Sequence, residues 1–332
     1  MTRTPPSRWL SIPIATYAVG TIIWIFLWIF RGDHSWWMIL LDHYGSLLLL
    51  VALLLSLFTF VNRYGCLTLL LLPALIFGVT LFGRYWIPQI DTDSTPPDLT
   101  VMTYNVLWDN TDFTAIERLL RTHDPDLIAL QEVGPELFRH LQTNLANEYA
   151  AFVMADEPAG STTAILSRYP IRNATLLDLG AIRPAVVVDL TIHDQTVTFV
   201  SSHLLYYGWL RVPLSELAPH IETVHRLQNG QVQRLLAELV RRNSDSIVLG
   251  CDCNSIDTSA TQQTLNSYFK NTAKVSGWVL PQPAAPRLGP FYFPQRIDYI
   301  FYRGRLKPRG TYTIFDNAGS DHLPVLAYFD LL

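Results

Sequence analysis

The chain has 332 residues, 49% of them hydrophobic and 16% charged, with a formal net charge of −4. That much apolar content with so little net charge excludes intrinsic disorder. A balance of 24 Lys and Arg against 28 Asp and Glu excludes a strongly basic nucleic-acid binder, which needs clustered cations along the phosphate backbone.

The charge is unevenly spread. Residues 1–90 hold five basic and two acidic residues, leaving 19 and 26 in residues 91–332, a formal −7. Within the front third, Ser11–Phe30, Gly45–Val61 and Gly65–Gly83 run 20, 17 and 19 residues without a charge. A bilayer core of ~30 Å takes ~20 apolar residues at the helical rise, so three transmembrane helices are expected at about 11–30, 45–61 and 65–83. Arg31–His43 and Asn62–Tyr64 form the polar breaks between them. Trp24, Trp28, Trp36, Trp37 and Trp86 cluster near the expected ends, where amphipathic rings favour the headgroup level. A cleaved signal peptide would explain only the first run, and no A-x-A-like site follows it. With the N-terminus inside, Arg3, Arg8 and Arg63 fall on the cytoplasmic side against Arg31 and Arg84 outside. The excess of inside positive charge and an odd number of spans then put the rear domain outside the cytoplasm. Asp91–Asp98 (DTDSTPPD) reads as a linker.

From residue 99 onward, strand and helix patterns alternate. Strands are expected at Leu99–Val106, Asp126–Glu132, Thr163–Leu166, Ala185–Ile192, Thr196–His203, Ser246–Cys253, Arg296–Tyr302 and Leu323–Phe329. Phe113, Ile116, Leu119 and Leu120 fall at helical spacing, and Val232, Leu235, Leu236, Leu239 and Val240 form a second helix face. Asp194-Gln195 reads as a turn between two paired strands. Hairpin-like pairs mixed with helical crossovers give an α/β fold of mixed sheets covered by helices.

The polar residues of interest sit at the ends of these apolar strands: Asn105, Glu132, His203, Asp252, Asn254, Asp298, Asp321 and His322. Because side chains alternate along a strand, Asp252 and Asn254 share one face and Cys251 and Cys253 the other. Carboxylates, imidazoles and amides converging at strand ends make an oxygen-rich site of the kind Mg²⁺ or Mn²⁺ favours. Such an ion polarises a phosphoryl oxygen or acidifies a water, and an Asp–His pair holds or moves a proton. Taken singly, each residue equally suits a turn cap or a solvated surface.

Taken in order, the segments VMTYNVLWDN, PDLIALQEVGPE, AILSRYPI, FVSSHL, VLGCDCNS, RIDYIFYRG and GSDHLPVLAYF resemble the motifs of the endonuclease/exonuclease/phosphatase superfamily. The resemblance spans about residues 99–330 and implies a four-layer sandwich of two mixed β-sheets flanked by helices. It implies Glu132 as principal metal ligand, with Asn105 and Asp321 near the ion, and Asp252 as the group that orients or deprotonates the attacking water. It implies Asn254 and His203 on phosphate oxygens, and His322, steered by Asp298, stabilising or protonating the phosphoryl group. The family usually has Gly before the Asp that here is Asp252, and Cys251 replaces it. A zinc site at Cys251 and Cys253 lacks further ligands. A disulfide between them is doubtful, since i,i+2 Cα atoms on a strand lie about 6.6 Å apart, so buried free thiols are expected.

The expected activity is therefore that of a membrane-anchored, divalent-metal-dependent phosphoesterase of nuclease-like type. A phospholipid phosphodiesterase of sphingomyelinase-like type and a catalytically silent binding or sensor module are the alternatives. The partners implied are a phosphodiester substrate, nucleic acid or lipid, and the bilayer; no protein partner is indicated. Leu204–Ile221, rich in aromatics, is expected to form one wall of the substrate cleft, to dip toward the bilayer, or to be a loop packed on the domain, with Trp278–Gln295 a candidate for the opposite wall.

Overall fold

The computed structural model describes residues 7–32, 35–87, 95–155, 162–181, 183–242, 244–276, 287–288, 291–292 and 295–332. The first four residues of the expected linker and most of Trp278–Gln295 lie outside these.

The front third is helical: α1 (Arg8–Arg31), α2 (Trp36–His43), α3 (Gly45–Val61) and α4 (Gly65–Phe82), closed by a 3₁₀ turn at Gly83–Trp86. Among the described residues, the first and last of these are long and apolar enough to cross a membrane. The second and third, bent by 57° at Tyr44, make a third span if the pair is counted as one. Apolar side chains such as Ile23, Leu54, Phe60, Leu69 and Val79 point outward from these helices, an inverted pattern that suits lipid and not water.

Two expectations change here. The break at Arg31–His43 contains a helix, α2. Trp24 and Trp28 are not headgroup anchors: Trp24 is buried, with its Nε1 donating to Asp42 Oδ1 at 2.6 Å, and Trp28 Nε1 donates to the carbonyl of Thr258 at 2.6 Å. Each indole needs a partner for its N–H once buried; α2 supplies it for Trp24 and the rear domain for Trp28. The side chain of Trp86 lies outside the described residues.

The rear region runs β1 (Leu99–Asn105), α5 (Phe113–His123), β2 (Leu127–Val133), α6 (Pro135–Asn144), β3 (Ala151–Met154), β4 (Thr162–Ser167), β5 (Ile171–Leu177), β6 (Ala185–Ile192), β7 (Gln195–His203), α7 (Leu217–Arg241), β8 (Ser246–Asp252), α8 (Ala260–Tyr268), β9 (Lys270–Asn271), α9 (Thr272–Ser276), β10 (Arg287–Leu288), β11 (Phe291–Tyr292), β12 (Asp298–Gly304), β13 (Leu306–Thr313) and β14 (Val325–Leu331). Local chemistry sets several of these bounds. Asp112 caps α5 by accepting from the Ala115 N–H at 3.0 Å, and Asp124 ends it in the left-handed region, at φ 51°. Pro135 opens α6, where its missing N–H costs nothing.

The strands form two mixed six-stranded sheets, ordered β13-β14-β1-β2-β4-β3 and β5-β6-β7-β8-β12-β9, and a separate β10-β11 pair. The sheets pack face to face through Val101, Ala129, Val188, Phe199, Val248 and Ala327. Met102, Ile128 and Leu326 on the outer face of the first sheet meet Ile116 and Leu120 of α5. On the second sheet, Leu249 and Phe301 meet Val232 and Leu235 of α7. Each such large apolar side chain contributes about 1.5–3 kcal/mol on burial.

Six of the described strands have no counterpart in the sequence reading: β3, β5, β9 and β13 lie at sheet edges, where polar residues such as Lys307 and Arg309 interrupt the apolar run, and β10 and β11 are two residues each. The β6–β7 turn is His193-Asp194, both at positive φ (44° and 66°), because Gln195 already pairs with Ile192. The expected Asp194-Gln195 turn is thus one residue late. The segment after His203 stays irregular only to Glu216, and its last five residues, 217–221, belong to α7.

Cys251 and Cys253 correct a further expectation: they form a disulfide with Cα atoms 5.2 Å apart. Strand β8 ends at Asp252, so the chain leaves extended geometry between the two and shortens the separation. Both sulfurs point into the core of the second sheet, away from Asp252, as alternation required.

Candidate active site

The central strands of both sheets deliver the polar residues to one end of the fold. Asn105 closes β1 and pairs with Gln131 of β2. In the other sheet Asp252 stands at the end of β8, flanked in register by His203 of β7 and Asp298 of β12. Strand pairing alone therefore places an imidazole and a second carboxylate on either side of Asp252. His322, in the loop before β14, closes the group.

Backbone strain concentrates at the same place. The β2–β4 register shifts between Leu130 and Val133, and Glu132 in this bulge has φ 59°. Leu107 and Asn254 are also left-handed, at φ 65° and 45°. Non-glycine residues held in that region store strain and cluster where a side chain must be re-aimed. Glu132 so placed accepts from the Trp108 N–H at 3.1 Å and faces His203 Nε2 and Arg183 Nη2, each at 3.8 Å.

Asp252 is the hub. Its Oδ2 accepts from Asn105 Nδ2 at 2.9 Å and lies 3.2 Å from His203 Nε2 and 3.9 Å from His322 Nε2. His322 Nδ1 pairs with Asp298 Oδ2 at 2.8 Å, and its Nε2 lies 3.9 Å from Asp321 Oδ1. All of these residues are buried except Asp321, whose side chain is exposed, and Glu132, which is partly so. Burial works against the charge on Asp252. His203 and His322 beside it, with hydrogen bonds from His203 and Asn105, outweigh that and hold its carboxylate below the usual range. Burial likewise opposes the His322 imidazolium, but Asp298, Asp252 and Asp321 raise it to about 10.

Asn254 donates its side-chain N–H to the Leu204 carbonyl at 2.9 Å, and its backbone N–H to Asp252 Oδ1 at 3.1 Å. The first of these bonds ties the segment after His203 to the loop after Asp252. Arg183 is the residue that sequence reasoning missed: its guanidinium contacts His203 Nε2 and faces Glu132. Its only sequence signal is its place in Arg-Pro just before the apolar strand β6. An open cavity of about 440 Å³ adjoins Glu132, lined by Trp108, Asn110, Phe113, Pro135 and Arg139 among others.

Asp252, Asp298 and His322 present one donor atom each within 4.8 Å of one another, a group able to hold a metal ion. Asp298 Oδ1 is buried and has no hydrogen-bond partner among the described residues. An oxygen-rich set with an unsatisfied buried carboxylate oxygen fits a hard divalent cation.

The family model described as Endonuclease/Exonuclease/phosphatase family matches residues 102–322. Solved structures with the same fold include an endonuclease/exonuclease/phosphatase from Bacteroides vulgatus (16% identity, TM-score 0.58), which covers 70% of this chain and 99% of its own. The family protein from Leptotrichia buccalis (17%, TM-score 0.56) covers 70% and 100%. D. rerio TDP2 complexed with a single strand DNA product (17%, TM-score 0.56) covers 70% and 98%. No curated protein matches the sequence.

Proposed function

The chain belongs to the endonuclease/exonuclease/phosphatase family, and on that footing we propose that it is a membrane-anchored, divalent-metal-dependent hydrolase of phosphodiesters. The observation that carries this reading is Asp252 set in register between His203 and Asp298, with Asn105 and His322 completing the ring. Asp252, ionised at neutral pH, orients the attacking water or takes up its proton. His322, kept cationic by Asp298, stabilises the phosphoryl oxygens or returns a proton to the leaving group. His203, Asn254 and Arg183 surround the phosphate with donors. Glu132, Asn105 and Asp321 would hold Mg²⁺ or Mn²⁺, which supplies Lewis-acid polarisation when bound. Asp252, Asp298 and His322 are the rival seat. TDP2 holds a single strand DNA product, which favours a diester over a monoester.

Membrane anchoring is supported by the outward apolar faces of α1, α3 and α4. An extracytoplasmic catalytic domain is supported by the balance of Arg residues and by the Cys251–Cys253 disulfide, since such bonds persist in oxidising compartments. The test is hydrolysis of bis(p-nitrophenyl) phosphate against p-nitrophenyl phosphate by the full chain in detergent, with Mg²⁺ or Mn²⁺, beside His322→Ala. Diester turnover lost in the variant is the expected result. No turnover of either by a metal-loaded protein would favour a silent binding module.

A further inference from the structure

The apolar helices are not strung loosely to the rear domain. The start of α3, at Gly45, abuts Thr258, and Tyr85, just past α4, donates to Asp257 Oδ1 at 2.9 Å. The ends of the candidate spans on this side therefore meet the loop that leaves Asp252 and Asn254. Because α2 is bent 57° from α3, it runs closer to the bilayer plane than to its normal when α3 spans.

The segment 204–216 packs on that tilted helix. Leu205, Tyr207 and Trp209 turn inward against Trp36, Ile39 and Tyr44. Leu204 is buried in the core of the second sheet, whereas Tyr206, Leu210 and Leu214 point out, at 48%, 47% and 89% exposed. Trp37 of α2, next in sequence to the Trp36 on which the segment packs, is exposed as well. The base of the segment is tied to the active site by the Asn254–Leu204 hydrogen bond.

We propose that segment 204–216 is seated on the lipid bilayer, with Tyr206, Leu210 and Leu214 at the headgroup–acyl boundary, so that the catalytic site takes the phosphodiester of a membrane amphiphile. The proposal rests on the membrane-anchored phosphodiesterase reading above. The bilayer is the occupant because α2, the surface on which the segment packs, leads directly into a candidate span. Amphipathic apolar-and-aromatic surfaces of this kind bind at the interface in proportion to the apolar area they bury.

The first arm reads the docking alone. The full chain carrying Cys66→Ser and Leu214→Cys is labelled with an environment-sensitive fluorophore and reconstituted in phosphatidylcholine vesicles. A matched protein is labelled at Val240→Cys, about 28 Å along α7 from Ile221 at the helical rise. The Leu214 label is expected to shift to the blue and to be quenched by doxyl-labelled lipid, and the Val240 label only by aqueous iodide. A Leu214 label quenched by iodide alone overturns the seating.

The second arm reads the substrate. Leu210→Glu/Leu214→Glu is expected to hydrolyse soluble bis(p-nitrophenyl) phosphate at the unaltered rate and to lose tenfold or more on vesicle phosphatidylcholine. Equal loss on both substrates, or faster turnover of a single-stranded oligonucleotide than of vesicle lipid, overturns the substrate assignment. An unaltered chain inert toward bis(p-nitrophenyl) phosphate would count against the hydrolase reading, while the quenching arm still decides the docking.

Discussion

Trp28 donates its indole N–H to the carbonyl of Thr258 at 2.6 Å, joining an apolar N-terminal helix to the loop four residues beyond Asn254. Thr258 in turn donates its hydroxyl to the Asp42 carbonyl, and Trp24 holds the Asp42 carboxylate. Ser255, Ile256, Asp257 and Thr258 are all buried. The front third is therefore part of the scaffold that fixes the active-site loop.

Gly45 reports on this junction. A Cβ there would meet Thr258 Cγ2 at 2.9 Å and Trp24 at 3.0 Å. Gly45→Val should destabilise the full chain by about 1–3 kcal/mol, as overpacking does, and lower turnover with it. Thermal unfolding in detergent with a parallel rate measurement checks this; an unchanged Tm would mean the helices merely tether.

Gly250 plays the same part between the sheets. Its missing Cβ would lie 2.6 Å from Ala129 Cβ and 3.0 Å from Thr103 Cβ, both backbone-proximal atoms with little freedom to move. Gly250→Val should cost about 1–3 kcal/mol and be seen as a lowered denaturation midpoint. A midpoint equal to that of the unaltered chain would refute the close approach.

The two candidate metal seats separate by mutation. If Glu132 carries the ion, Glu132→Gln weakens Mn²⁺ binding in titration calorimetry by tenfold or more, while Asp298→Asn leaves it within a few-fold. The reverse order assigns the ion to Asp252, Asp298 and His322.

His322 sets a pH signature. Its folded value, raised to about 10, exceeds the usual imidazole value of about 6.5. Its contribution to stability is thus fully present below pH ~6.5 and is lost as pH rises through the folded value. In the metal-free protein the His322 ring should stay an imidazolium by NMR to about pH 9, and Asp298→Asn should bring its titration down. A ring that titrates near 6.5 in the unaltered protein would remove the Asp298 pairing from the account.

The disulfide has a direct count. The unreduced, denatured chain should react with a thiol reagent once, at Cys66, and three times after reduction. Three reactive thiols before reduction would restore the free-thiol reading of Cys251 and Cys253.

By itself the sequence determined what depends on local pattern. Charge-free runs marked the apolar helices, and short apolar, β-branched runs marked the central strands, which are buried on both faces. The polar residues that end those strands were named in order, because a polar side chain closing an apolar strand stands out within a few residues. Tertiary structure decided what depends on pairs far apart in the chain. Trp28 and Thr258 are 230 residues apart, so Trp28 reads as an interfacial anchor until the rear domain supplies its acceptor. Arg183 carries no pattern of its own and joins the site only because β6 and β7 pair beside β8. The left-handed turn at Glu132 and the shortened Cys251–Cys253 separation arise where strands bulge or end. Those departures are set by packing between sheets and are invisible to a rule that assumes regular strands.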